Sequence, residues 1–486
     1  MVKQISIKKN FIMNTLLTMS SFIFPLITFP YISRILRPEY TGKVAFATSV
    51  ISYFNLIAQL GIPTYGIRSC AMVRNDKEKL SRTTHELLAI NLITTIISYI
   101  ALAVTITLSP KLQQEKTLLI IISSSIFLNA IGMEWLYRGL EQYTYITIRS
   151  VTFKGIAMCF MLLLVHAQED YLIYGGITII ASSASYIMNF LNAKKYIYLH
   201  PVGRYNLKQH IKPILVFFAL ACATTVYTNL DNVMLGFMQS DSAVGCYHVA
   251  IRIRSILLGV VTSLGAVLLP RSSYYIEHNL MEEFKRATQN AIHFVLLLAT
   301  PLTLFFILYA SYSVYFIAGP SYKQSILAMQ IVMPTLILVG ITNIFGFQVL
   351  VPTGREVLVL KSVIVGAIVD LIVNLLLIPR FSLIGAAIGT LAAEILVLLV
   401  QAYYLKDMLK EYFQDVSVFK LVFALFIASC ISLLSIQSLK SDFLILLTGG
   451  ITFFGTYISI LLITREKMVL KYIILFGKKI IAFLKR

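Results

Sequence analysis

The sequence predicts an all-α integral membrane protein of about 14 transmembrane helices. They form two pseudo-symmetric six-helix lobes related by a parallel repeat, followed by two C-terminal helices. Three observations carry this reading. Of 486 residues, 58% are hydrophobic and only 13% charged, and the mean hydropathy is +0.81; a soluble chain carries about 25% charged residues. Apolar runs near the roughly 20 residues needed to cross a hydrocarbon core recur along the whole chain. The two halves also echo each other in sequence.

The spans fall in order. The first, 11–35, contains Pro25 and Pro30, and each removes a backbone donor, so a bend is expected there that can act as a hinge or stand as a static kink. It is too long for a cleaved signal, and no small-residue cleavage site follows it. Spans 44–62, 87–109, 117–136, 148–166 and 171–192 complete the first six. The second six are 213–238, 243–269, 291–312, 326–351, 357–378 and 382–405. Spans 418–437 and 443–464 stand outside both sets. The expected divisions are therefore 1–212, an N-terminal lobe with its linker, 213–410, a second lobe, 411–464, the extra pair, and a basic tail, 465–486. That tail alternates apolar pairs with lysines, which suits either an interfacial helix on an anionic leaflet or a solvated extension.

The chain carries 41 Lys and Arg against 22 Asp and Glu, a net charge of +19. Such a surplus often marks a nucleic-acid partner. Here the cations sit in short loops between apolar runs, so topology accounts for them. With the N-terminus placed in the cytoplasm, 30 of the 41 fall on the cytoplasmic side and 8 on the other. This is the positive-inside bias, and it puts both termini in the cytoplasm.

The internal repeat fixes the architecture. Gly42-Lys-Val-Ala-Phe-Ala47 matches Gly245-Cys-Tyr-His-Val-Ala250, Leu80-Ser-Arg-Thr-Thr84 matches Phe284-Lys-Arg-Ala-Thr288, and Arg149-Ser150 matches Lys361-Ser362. The matches keep their order and nearly their spacing. The offset crosses an even number of spans, so the repeats run parallel about an axis along the membrane normal. Two lobes around a central cavity suit alternating access.

Several chemistries are disfavoured. No segment outside the spans is long enough for a soluble domain, and no glycine loop of the phosphate-cradling kind or HExxH motif is present. The five cysteines show no framework or metal spacing, and the seven histidines are scattered. An enzyme is disfavoured, and no cofactor or metal is expected.

Ionisable groups within spans are costly and mark a pathway or a partner. Glu134, Arg138, Arg149 and Lys154 gather near the cytoplasmic ends of two adjoining spans. Their positive balance would attract a diphosphate, or belongs to the ordinary basic collar. Arg34 and Arg37 stand at the opposite end, where that collar does not explain them. Asp231 and Arg252 lie at matching depth on neighbouring spans, consistent with a structural ion pair or with a coupling role. Arg252 and Arg254 are two residues apart and cannot share a helix face, so at most one faces a cavity and the other must pair or contact the facing lobe. Asp370 and Asn374 share a face and could take up a cation or bind a neighbouring helix. Glu394 follows the small-residue run Gly385-Ala-Ala-Ile-Gly389 and is a candidate for protonation.

Pro30-Tyr-Ile-Ser-Arg-Ile-Leu36, Gly61-Ile-Pro-Thr-Tyr-Gly-Ile-Arg68, Glu134-Trp135 with Arg138-Gly-Leu-Glu141, and Asn374 through Ile378-Pro379 ahead of Gly385 resemble the polysaccharide transport family. These are the O-antigen and capsule repeat-unit flippases (Wzx-type). Their superfamily also holds the multidrug/cation antiporters (MATE-like fold) and the peptidoglycan-lipid flippases. The resemblance covers about residues 10–405. It implies movement of an undecaprenyl-diphosphate-linked oligosaccharide to the outer leaflet of a bacterial plasma membrane, through a cationic cavity. It leaves coupling to an H+ or Na+ gradient open. The lipid-linked oligosaccharide, membrane lipids and the polysaccharide polymerase or assembly proteins are the partners it implies. In family members Gln often stands at the position of Arg138 and Asp at that of Glu134; the departure adds a cation to the mouth. A drug/cation antiporter on the same fold and a membrane polysaccharide polymerase are the alternatives.

Overall fold

The computed structural model describes residues 7–414 and 416–470. Every element among them is helical. Packing divides the chain into two units, 1–248 and 249–486, and the helix Asp241–Glu277 runs from one into the other.

Twelve helices are long and apolar enough to cross a membrane, against the fourteen expected. The difference has two sources. The first two expected spans fall inside one continuous stretch, Ile12–Val73, and the fourth coincides with a shorter apolar helix, Lys116–Gly132. The first helix has a kink beyond Pro25 and Pro30. Both prolines stay inside the helix Ile7–Gln59, and its non-helical residue is Arg37, at φ 57 and ψ 176. Arg37 precedes Pro38, whose ring disfavours the α region for the residue before it. The expected span 117–136 is also cut short. Met133 takes φ 42, and a separate six-residue helix, Glu134–Gly139, follows.

In the first unit, the helix Ile7–Gln59 packs on Lys77–Leu108, Lys116–Gly132, Tyr143–Leu164 and Lys208–Met238. Lys77–Leu108 shows how a membrane inverts the usual amphipathic pattern. Ile93, Ile96, Ile97, Ile100 and Val104 form an exposed aliphatic stripe, while Asn91, Thr95 and Ser98 are buried. The Asn91 amide and the Thr94 hydroxyl donate to the Ala58 carbonyl at 2.7 and 2.6 Å, and Ser98 donates to Phe54 at 2.6 Å. With lipid outside, apolar surface gains nothing by turning inward, so small polar groups tie the helices together. The second half of Ile7–Gln59 meets Asp241–Glu277 at Gly42 and Gly245. A Cβ on either glycine would run into backbone of the other helix.

In the second unit, Glu356–Phe381 and Leu383–Tyr404 form a close hairpin, and Gly385 lies against the Leu377 backbone. The pair Val418–Ser435 and Asp442–Ile463 packs on Met281–Leu308 through Phe305, Tyr309, Phe453 and Tyr457. Beyond it, the Lys420 ammonium donates to the Thr464 carbonyl at 2.7 Å, and Glu466 meets His293 at 2.9 Å. The basic tail expected over 465–486 lies, from residue 471, outside the described residues.

Candidate functional site

The left-handed turn at Met133 ends one helix and starts the next with Glu134 in its first turn. Glu134 is the hub of the first unit's charged cluster. Its Oε1 accepts from Arg138 Nε at 2.9 Å and Nη2 at 2.7 Å, one helical turn on. Its Oε2 accepts from Arg149 Nη2 at 2.9 Å, on the helix Tyr143–Leu164. The two guanidinium groups differ in setting. The Arg149 side chain is 2% exposed and that of Arg138 is 41%. Arg149 lies over the Tyr186 ring, with 5.0 Å between the guanidinium carbon and the ring centroid. Five residues beyond Arg149, Lys154 donates to the hydroxyls of Ser20 and Ser21, both at 2.9 Å. The four side chains carry three positive charges and one negative, as their sequence positions suggest.

This cluster forms part of the wall of a cavity of about 380 Å³ in the first unit. Asn55, Gln59, Asn129, Trp135 and Tyr186 line it with Glu134 and Arg138. The sequence reading singled out none of the three amides. A signal existed: Asn55 and Gln59 are four residues apart in an apolar span, hence on one face.

The second unit brings other candidates together. Arg254 Nη2 meets Glu394 Oε1 at 3.0 Å, and Arg254 Nε donates to the Thr335 hydroxyl at 2.5 Å. Arg254 is thus held by a carboxylate and a hydroxyl of the second unit. Arg252, two residues earlier, is partly buried. The Asn374 amide donates to Asp370 Oδ1 at 3.2 Å, and both side chains are buried against Gly389, where a Cβ would collide with Asn374 Oδ1. Asp370 and Asn374 therefore sit between Glu356–Phe381 and Leu383–Tyr404. Asp231, on Lys208–Met238, accepts a hydrogen bond from the Tyr247 hydroxyl. Arg34 and Arg37 are exposed beside the kink of the first helix.

A further buried carboxylate had no place in the sequence reading. Glu86, 1% exposed, accepts from the Asn206 backbone at 2.6 Å and Gln209 at 3.0 Å, and lies 2.8 Å from His210. It anchors the 193–212 linker to the helix Lys77–Leu108.

The profile of the polysaccharide biosynthesis protein family matches residues 7–276. The chain is 23% identical over 399 residues to a putative O-antigen transporter of Escherichia coli (strain K12), covering 81% of this chain and 95% of that one. It is 25% identical over 404 residues to a putative O-antigen transporter of Shigella dysenteriae, covering 81% and 98%. Among solved structures, the lipid II flippase MurJ in an inward closed conformation superposes with a TM-score of 0.73 at 17% identity, covering 94% of this chain and 99% of that one. An inward-facing multidrug resistance MATE family transporter superposes with a TM-score of 0.58 at 13% identity, covering 83% and 99%. The fold is thus the one these transporters share, and the curated relatives named here are transporters rather than enzymes.

Proposed function

Because the chain belongs to the polysaccharide biosynthesis protein family, we propose that it is a flippase for undecaprenyl-diphosphate-linked oligosaccharide repeat units. It carries them from the cytoplasmic to the outer leaflet of the bacterial plasma membrane by alternating access, for O-antigen, capsule or exopolysaccharide synthesis. Both termini lie in the cytoplasm, following the positive-inside bias.

One observation supports the reading: Arg138, Arg149 and Lys154 outnumber Glu134 in the first unit's charged cluster, of which Glu134 and Arg138 line a cavity. A membrane protein does not keep uncompensated cations at such a place without a use for them. A diphosphate bears the complementary charge, and guanidinium forks suit its oxygens. The same surplus opposes a cationic drug, which weighs against an antiporter. Arg34, Arg37, Arg252 and Arg254 are further candidates for anionic contact, and Asp370 for coupling to an H+ or Na+ gradient.

The test is genetic. Deleting the gene should leave lipid-linked repeat units facing the cytoplasm and strip the cell of the matching surface polysaccharide. Unchanged surface polysaccharide, in a host with no second transporter, would refute the proposal. Export of ethidium by the reconstituted protein would favour the antiporter.

A further inference from the structure

We propose that the segment 109–115, between the helices Lys77–Leu108 and Lys116–Gly132, is an outer strap. It locks two helices together beside Gly42 and Gly245, and it must release for the protein to open on that side. The inference rests on the alternating access and the orientation proposed above.

The strap holds one helix at each end. Lys111, in the short helix Pro110–Gln114, meets Asp241 at 2.6 Å, in the first turn of Asp241–Glu277. Glu115, where the strap ends, meets Lys43 at 2.9 Å, on the helix Ile7–Gln59. The Asp241 charge also reaches Lys43, so the four groups form one network of alternating sign. Lys43 is one residue past Gly42, and Asp241 lies four before Gly245. The strap thus ties the two segments that the sequence repeat relates, at the point where a Cβ on either glycine would strike the other helix. Leu112, wholly buried, anchors the middle of the strap.

Three features suit a lock that opens rather than a permanent brace. First, water reaches the Lys111–Asp241 pair, at 25% and 14% exposure, so its parting costs little, whereas the Arg149 side chain beside Glu134 is 2% exposed. Second, both ties use a lysine, a point charge on a flexible stem, and not the rigid fork of an arginine. Third, neither carboxylate is stranded when its lysine leaves. Asp241 stands in the first turn of its helix and Glu115 directly before Lys116–Gly132, and a helix N-terminus favours an acid there.

Two measurements test the strap. Cys246, buried one residue past Gly245, reports on the contact once Cys70, Cys159, Cys222 and Cys430 are replaced by Ala. In the full chain, purified in detergent, Lys111→Ala should speed maleimide labelling of Cys246 about fivefold. The charge swap Lys111→Asp with Asp241→Lys should return the rate to within about twofold of the natural pair. In cells, Lys111→Cys with Asp241→Cys, in a chain without its own cysteines, should support surface polysaccharide when reduced and lose it when joined by a short bis-maleimide. A permanent brace would tolerate that joining. The inference is overturned if Lys111→Ala labels at the natural rate, if the swap labels like Lys111→Ala, or if the joined protein exports as well as the reduced one. The labelling uses no cargo, so it decides the strap even where gene deletion refutes the flippase reading.

Discussion

Gly42 and Gly245 occupy equivalent places in each other's surroundings. A Cβ on Gly42 would strike the carbonyl oxygen of Asp241, four residues before Gly245, and a Cβ on Gly245 would strike that of Pro38, four residues before Gly42. Pro38 and Asp241 are separated in sequence by the same offset as the two glycines. The contact thus has a local two-fold symmetry that matches the sequence repeat, and Lys111 flanks it with an ion pair to Asp241 at 2.6 Å. Alanine at either glycine should pry the helices apart and cost about 1–3 kcal/mol. Gly155→Ala, at a position with open space around it, should cost nothing. Thermal unfolding in detergent separates the two cases, and equal melting temperatures would contradict this packing.

Burial ranks the two arginines on Glu134. Replacing Arg149, 2% exposed, by Ala should destabilise by about 3–5 kcal/mol, because it breaks a buried pair. Replacing Arg138, 41% exposed, should cost at most about 1 kcal/mol. Its larger effect should fall on export of repeat units. The prediction fails if the stability order is reversed.

Glu394 and Asp370 should part company in energy coupling. Glu394 is already neutralised by Arg254, at 3.0 Å. Glu394→Gln should therefore lower stability and leave gradient dependence intact, with a coupling energy to Arg254 of about 0.5–3 kcal/mol in a double-mutant cycle. Asp370→Asn should abolish gradient dependence in vesicles while the protein stays folded in the membrane. Unaltered dependence in Asp370→Asn would remove Asp370 from the coupling path.

Acid should loosen the clasp at Glu466. Burial pushes its carboxyl up, but the His293 ring and the N–H groups of Val469 and Met468 outweigh it and hold the group below the usual carboxylate range. A lowered folded-state pKa stabilises at pH above the unfolded value, near 4.3, and the benefit is lost as pH falls through the lowered value. Melting of the natural chain should exceed that of Glu466→Gln at pH 7, and the gap should close below about pH 4. A constant gap would show that Glu466 contributes only through shape.

Much of this is legible in the sequence. Span positions follow from apolar length alone, and the Gly42–Gly245 match was visible as an aligned repeat. Glu134, Arg138 and Arg149 could be grouped because they are close in sequence. Arg254 and Glu394 could each be noticed but not joined: 140 residues separate them, and no periodicity encodes a partner so distant. The break at Met133 was hidden because an unbranched apolar side chain gives no sign of a positive φ. Asn55 and Gln59 stand four residues apart on one face of an apolar span, but that spacing does not show what they line.

The backbone at Arg37 has a mechanical implication. A side-chain-bearing residue at φ 57 and ψ 176 borders territory that only glycine enters freely, and holding it there costs about 1–3 kcal/mol. The opening helix is consequently a sprung limb, bent against its own preference and restrained one turn later at Gly42. Under the alternating access proposed above, release of that restraint would let it recoil, and part of the work of changing shape would be stored in the chain before any cargo arrives.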